Sequence, residues 1–212
     1  MASPIILSPV TPSELFLYIL AHHRYPTTIV VASAKQPFLD ALTLEVKSQK
    51  EPQQDRLLQK TLLQTAISRH IHLVFTPTVT HLRAYLSTFS REDSKIRAPP
   101  NFKANGTGDS LLLVYGFLEV HRVTSEWSAQ GIANSAAALV EAAATNSLRA
   151  TVVEPRGGGQ GFERLDEFLG EDVPVLSGTL MRDSGAWNGR TVQIRRVLSR
   201  WFEIEPEGQH DP

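Results

Sequence analysis

Continuous apolar runs alternate along this chain with segments of helical spacing, and that alternation limits the possible folds more than any other feature. Thr27-Thr28-Ile29-Val30-Val31-Ala32, Ile71-His72-Leu73-Val74-Phe75 and Ser110-Leu111-Leu112-Leu113-Val114-Tyr115-Gly116-Phe117 read as strands, as do Arg149 to Glu154 and Val173 to Gly178. A run that is apolar on both faces fits a strand buried in a parallel sheet. Helical spacing falls between these runs, at Phe38 to Lys47, Leu57 to Ile67, Thr78 to Phe89, Glu126 to Asn146 and Phe162 to Leu169. A further helix is expected just after Thr11-Pro12-Ser13-Glu14, where Thr11 and Glu14 make a capping-box pattern and Pro12 suits the first turn. Strands alternating with helices in this way give a parallel sheet with crossover helices on its faces. The expected class is therefore α/β, a mostly parallel sheet flanked by helices. An Asn188-Gly189 turn signal before Thr191 to Ile204 adds a C-terminal antiparallel β-hairpin.

The 212 residues suit one domain. It is expected over 1–204, with a mobile loop at about 90–109, rich in charge and then in Pro, Asn and Gly, and a disordered tail at 205–212. The chain has no cysteine, which excludes a disulfide scaffold, a thiolate nucleophile and Cys-ligated metal. No apolar run approaches the roughly 18 residues of a membrane helix, and the first residues lack a basic segment followed by an apolar core. A soluble, intracellular protein without membrane partners is expected.

Net charge is −1, but it is unevenly distributed. Residues 1–106 carry 12 Lys and Arg against 7 Asp and Glu, while residues 107–212 carry 9 against 15. Within the acidic half, Arg182, Arg190, Arg195, Arg196 and Arg200 fall close together. Such a strip is a local electrostatic footprint for phosphates, and salt bridging is its plainer reading.

Ligands of open α/β sheets bind beyond the carboxyl ends of the strands, so the loop after the first strand is the first place for chemistry. A phosphate-binding loop needs glycines that let backbone N–H groups wrap the phosphates, then Lys and Ser or Thr. After the run at 27–32 the chain offers Ser33, Ala34, Lys35, Gln36 and Pro37, with no glycine and no Ser or Thr after Lys35. The second nucleotide signature is an apolar strand ending in an Asp that holds magnesium. Leu111 to Val114 is such a strand, but Tyr115 takes the Asp position and Glu119 lies four residues later. Both losses point to a chain with no catalytic residues and no cofactor. A cryptic NTPase using Lys35 and Glu119 is the enzymatic alternative. His22, His23, His70, His72 and His81 show no convincing ligand spacing, so no metal is expected. There is no G-x-S-x-G elbow for a serine nucleophile.

Three stretches together resemble the RecA-type core of the eukaryotic recombinase-paralog family: 11–47, Leu111 to Phe117 with its following helix, and Gly189 to Phe202. The likeness lies in element order along most of the chain rather than in residue identity, because the two diagnostic motifs are degenerate. It is similar to the small divergent paralogs of Shu-type complexes and to the small partner of a SWIM-domain protein. The resemblance implies a RecA-like, non-catalytic subunit of a homologous-recombination DNA-repair complex. Such a subunit would assist recombinase assembly on single-stranded DNA, in the nucleus, as a hetero-oligomer with another RecA-like or SWIM-domain subunit. The alternative it leaves open is a RecA-like scaffold of the Elongator tRNA-modification accessory ring, in the cytoplasm.

On this reading the candidate DNA contacts are Arg156, Arg190, Arg195, Arg196 and Arg200, with Trp201 able to stack on a base. Arg156 earns its place beside Gly157-Gly158-Gly159-Gln160-Gly161, where RecA-like proteins place a DNA-binding loop; a plain flexible connection is the simpler reading of that segment. The helix after Thr11 is apolar in unbroken succession, which suggests burial on more than one side. Its Leu15, Phe16, Tyr18 and Ile19 are the candidate partner interface.

Overall fold

The computed structural model describes residues 2–22, 24–48, 65, 68–90, 110–122, 124–157, 164–176 and 190–204. In chain order these form β1 (Ile5–Ile6), α1 (Pro12–His22), β2 (Arg24–Val31), α2 (Lys35–Ser48), β3 (Ile71–Phe75), α3 (Val79–Thr88), β4 (Ser110–Tyr115) and α4 (Glu119–Arg122). There follow α5 (Ala129–Thr145), β5 (Arg149–Val153), α6 (Leu165–Gly170), β6 (Asp172–Pro174), β7 (Thr191–Gln193), α7 (Ile194–Leu198) and β8 (Glu203–Ile204). Six strands make one sheet in the order β3-β2-β4-β5-β1-β8, and every pairing in it is parallel. A separate pair, β6-β7, is antiparallel. This is the α/β class expected from the alternating runs.

Side chains alternate across a strand, and the alternation divides the core in two. Val30, Leu112, Val114, Ala150 and Val152 point to one face, against Leu82 and Leu86 of α3 and Ile132, Ala136 and Leu139 of α5. Ile29, Val31, Leu111, Leu113 and Tyr115 point to the other, against Leu15 and Ile19 of α1 and Phe38 of α2. Phe38 anchors α2 through edge-on contacts with Phe16, Phe75 and Tyr115, at centroid distances of 6.1, 5.9 and 5.7 Å. The helices start where side chains can satisfy free N–H groups. Ser128 Oγ accepts from Gly131 N at 3.1 Å, and Thr78 Oγ1 accepts from His81 N at 3.2 Å. At α1 the expected capping box is present, with Thr11 N donating to Glu14 Oε2 at 2.9 Å and Glu14 N to Thr11 Oγ1 at 3.4 Å.

Four differences from the sequence reading matter for the site. The first strand is Ile5–Ile6, not the run at 27–32, and it lies between β5 and β8. β2 begins three residues earlier than expected and tolerates Pro26 because its register against β4 shifts between Arg24 and Thr27. Residues 173–174 do not join the main sheet but pair with β7, so the antiparallel hairpin joins 172–174 to 191–193. Residues 194–198, expected as strand, are helical, because Ile194, Val197 and Leu198 bury one helical face. The expected helix at Leu57 to Ile67 falls almost wholly outside the described residues. So do the loop at 91–109, Gly158 to Gly161, Arg182, Asn188-Gly189 and the tail at 205–212. No helix among the described residues is long and apolar enough to cross a membrane.

Candidate functional site

The carboxyl ends of β1, β4 and β5 bring three loops together. Val10 N donates to the Glu154 carbonyl at 3.1 Å, Arg156 N to the Val10 carbonyl at 3.1 Å, and Gly116 N to the Val153 carbonyl at 2.8 Å. Gly116 has φ of +81°, a backbone conformation that favours glycine, and it turns the chain sharply after Tyr115. A ligand of an open sheet would sit here, and the N-terminus of α1 would supply its N–H groups to an anion.

The chain fills that place with its own side chains. Ser13 N donates to Glu45 Oε2 of α2 at 3.0 Å, while Glu14 takes the Thr11 N–H. Glu14 Oε1 also receives Arg156 at 2.8 Å, and a second Arg156 nitrogen donates to the Pro9 carbonyl at 3.1 Å. From β4, the Tyr115 hydroxyl donates to the Val10 carbonyl at 3.0 Å. Burial raises the Tyr115 pKa, and the carboxylates of Glu45, Glu154 and Glu14 add to the effect, so the hydroxyl keeps its proton and acts as a donor. The segment Leu7-Ser8-Pro9-Val10-Thr11-Pro12-Ser13 has no glycine and no lysine, and its two prolines offer no N–H.

The degenerate loop assigned to Ser33, Ala34, Lys35, Gln36 and Pro37 therefore belongs to β2, and two strands, β4 and β5, separate it from β1. Lys35, Gln36 and Pro37 are exposed there. Ser33 Oγ donates to the Ala34 carbonyl at 3.2 Å, and Gln36 Nε2 to Asp40 Oδ1 at 2.8 Å. Tyr115 stands at the end of its strand, as the sequence placed it. The structure therefore brings Tyr115 and Arg156 to the same loop and leaves Lys35 elsewhere.

Beside this cluster lies Glu154, 1% exposed. One of its carboxyl oxygens accepts from Leu118 N at 2.7 Å, and the other is buried without a hydrogen-bond partner. Burial pushes its pKa up to about 8; the Leu118 and Glu119 backbone N–H groups and Arg122 oppose that rise, while the Glu119 carboxylate adds to it. A second buried group, three residues beyond the Leu118 that bonds Glu154, is His121. Its Nδ1 is 2.7 Å from the Phe117 carbonyl and its Nε2 is 2.8 Å from Ser135 Oγ. Ser135 Oγ also accepts from Arg83 Nε at 2.9 Å, and Arg83 donates to Glu126 Oε2 at 2.6 Å. Ser135 and His121 are both fully buried. A serine oxygen without access to substrate is not a nucleophile, so this is a structural network. Sequence reasoning passed over Glu45, Glu154 and His121. Glu14 was read only as a cap, and the Glu at the end of the apolar run 149–153 was the available sign of Glu154.

Arg195 and Arg196 sit on α7 and Arg200 just beyond it rather than on a hairpin strand, whereas Arg190 stands at the start of β7 in the β6-β7 hairpin, its carbonyl accepting from Val175 N at 2.8 Å. Arg190, Arg195, Arg196 and Arg200 are all exposed. Arg195 pairs with Asp166 of α6 at 2.5 Å. Trp201 is half-buried and packs against the core. Arg156 is engaged by Glu14 and Pro9, as above, which ties it to the α1 loop. Leu15 and Ile19 are fully buried beneath the sheet and cannot meet a partner, because α1 packs its apolar face on β4 and β2. Phe16 and Tyr18 are half-buried at the margin of that packing. Among the described residues no group of three or more His, Asp or Glu is placed to hold a metal ion.

No protein-family model matches the chain, and no curated protein and no solved structure is significantly similar to it.

Proposed function

We propose that this chain is a non-catalytic RecA-like subunit of a homologous-recombination DNA-repair complex, which helps a recombinase assemble on single-stranded DNA. The observation that carries the non-catalytic part is the α1 N-terminus. The N–H groups that an anionic ligand would need there are taken by Glu14 and Glu45, and Tyr115 and Arg156 bind the adjoining loop from either side. A nucleotide phosphate would have to displace two carboxylates and would meet no lysine in that loop. The parallel sheet with helices on both faces supports the RecA-like part, and the exposed Arg190, Arg195, Arg196 and Arg200 support a contact with phosphates. Protein partners and a nuclear location follow from the resemblance to recombinase paralogs.

Affinity purification of the tagged protein from its own cells, followed by mass spectrometry, tests the assignment. Recombinases or a SWIM-domain protein among the recovered partners support it, and Elongator subunits in their place overturn it. Calorimetric titration with ATP and magnesium is expected to give no saturable heat. Saturable binding abolished by Lys35→Ala would replace the non-catalytic reading with that of an NTPase.

A further inference from the structure

We infer that Ser199 is a phosphate-acceptor site for a serine/threonine protein kinase that selects upstream arginine, and that the arginines around it clasp the phosphate once it is attached. Arg195 and Arg196 lie four and three residues before Ser199, and Arg200 follows it directly. An acidic kinase cleft recognises such a pattern by charge. Ser199 is exposed, at the C-terminal end of a helix of only five residues. Its hydroxyl makes one long contact, to the Arg196 carbonyl at 3.5 Å, and its N–H donates to the Arg195 carbonyl at 2.9 Å. Val197 and Leu198 before it and Phe202 after it are buried in the core, so a kinase takes up the segment when this short helix opens locally.

In the transfer, Ser199 Oγ attacks the γ-phosphorus of the kinase's ATP. The bridging P–O bond breaks, ADP leaves with that oxygen, and the hydroxyl proton passes to the kinase's base. The product carries about −1.5 to −2 of charge and three acceptor oxygens. A phosphate at a helix C-terminus is opposed by the helix carbonyls, and here three arginines offset that. Among the described residues, the exposed Arg196 and Arg200 make no ion pair, and Arg195 pairs with one carboxylate, Asp166, that a dianion can outcompete. Clasping therefore withdraws all three from any other phosphate. The effect on DNA rests on the nucleic-acid reading of the strip under the proposed function; the modification itself does not.

Incubation of the full-length protein with such a kinase and ATP, followed by mass spectrometry, is the test. Phosphate is expected on Ser199, absent in Ser199→Ala, and incorporated about tenfold more slowly in Arg196→Ala, as for one lost charge-assisted contact. Phosphate on other residues with Ser199 unmodified overturns the site. In a phosphorus NMR titration, the second ionisation of the attached phosphate is expected well below its usual value of about 6 in the folded protein and at that value in urea. An unchanged value overturns the clasp. Unmodified protein is expected to bind oligo-dT at least about tenfold more tightly than the phosphorylated form at low salt, and equal affinities overturn the switching. If unmodified protein shows no binding, the nucleic-acid reading of the strip fails, while the first two arms still decide the acceptor site.

Discussion

At the residue scale, two buried titratable groups set opposite limbs of the stability profile. Glu154 keeps its proton in the folded protein up to about pH 8, because burial disfavours the carboxylate. An unfolded chain loses that proton at ordinary carboxylate pH. The folded pKa is raised, so this group's share of stability is intact below about pH 4.5 and lost as pH climbs to 8, with a slope of at most about 1.4 kcal/mol per pH unit. His121 is the reverse case. Burial lowers its pKa to about 4, against the hydrogen bond to the Phe117 carbonyl that favours the charged ring. Its share is intact above about pH 6.5 and lost as pH falls toward 4. Urea denaturation midpoints measured between pH 4 and 9 should therefore fall at both ends. Glu154→Gln should flatten the alkaline limb and leave the acid limb in place. A variant that falls in parallel with the parent from pH 5 to 8 would show that Glu154 is already ionised in the fold.

At the scale of elements, legibility depended on whether one spacing has one meaning. β4 was plain because Leu111 to Val114 is a continuous apolar run, too short for a helix and apolar on both faces. α7 was not. Ile194, Leu198 and Phe202 are four residues apart, a spacing that satisfies both a strand and a helix, and the buried Val197, three after Ile194, is what distinguishes them. β1 escaped notice because its pairing covers only Ile5 and Ile6, with prolines at 4 and 9. Missing it moved the search for a phosphate loop to β2, three positions along the sheet from the place the topology selects. The start of α5 was placed three residues early for a different reason, since Glu126 belongs to the turn before the helix. There its carbonyl approaches Gly131 so closely that an added Cβ would stand 2.2 Å from the oxygen. Gly131→Ala is expected to cost about 1–3 kcal/mol through overpacking. The shift should appear in the urea midpoint, and an unchanged midpoint would mean that the 124–128 turn gives way freely.

At the scale of the whole molecule, the near-zero net charge conceals a separation of roles. The carboxyl end of the sheet is occupied by Glu14, Glu45, Tyr115 and Arg156, which bind the backbone of the loop before α1 and its first turn, Arg156 also pairing with Glu14, while α7 and its flanks hold exposed arginines. If the strip contacts DNA, log-log plots of oligo-dT affinity against salt should lose about 0.7 of slope for each phosphate contact removed by alanine at Arg190, Arg195, Arg196 or Arg200. Arg156→Ala should leave that slope unchanged, because its partners lie within the chain. Equal slopes for parent and quadruple variant would remove α7 from any nucleic-acid surface. Composition alone could not reveal this division, because which arginines are already engaged depends on tertiary contacts.

The placement of β1 also bears on how the chain is made. Its two neighbours in the sheet, β5 and β8, begin at Arg149 and Glu203. A ribosome adding about 5–20 residues per second delivers the first of them roughly 7–30 s after β1 has emerged. Through that interval Ile5, Ile6 and Leu7, all buried in the finished fold, have no neighbouring strand to pair with. Long-range parallel pairing of this kind closes late, which leaves the apolar β1 segment exposed in the growing chain until β5 is made.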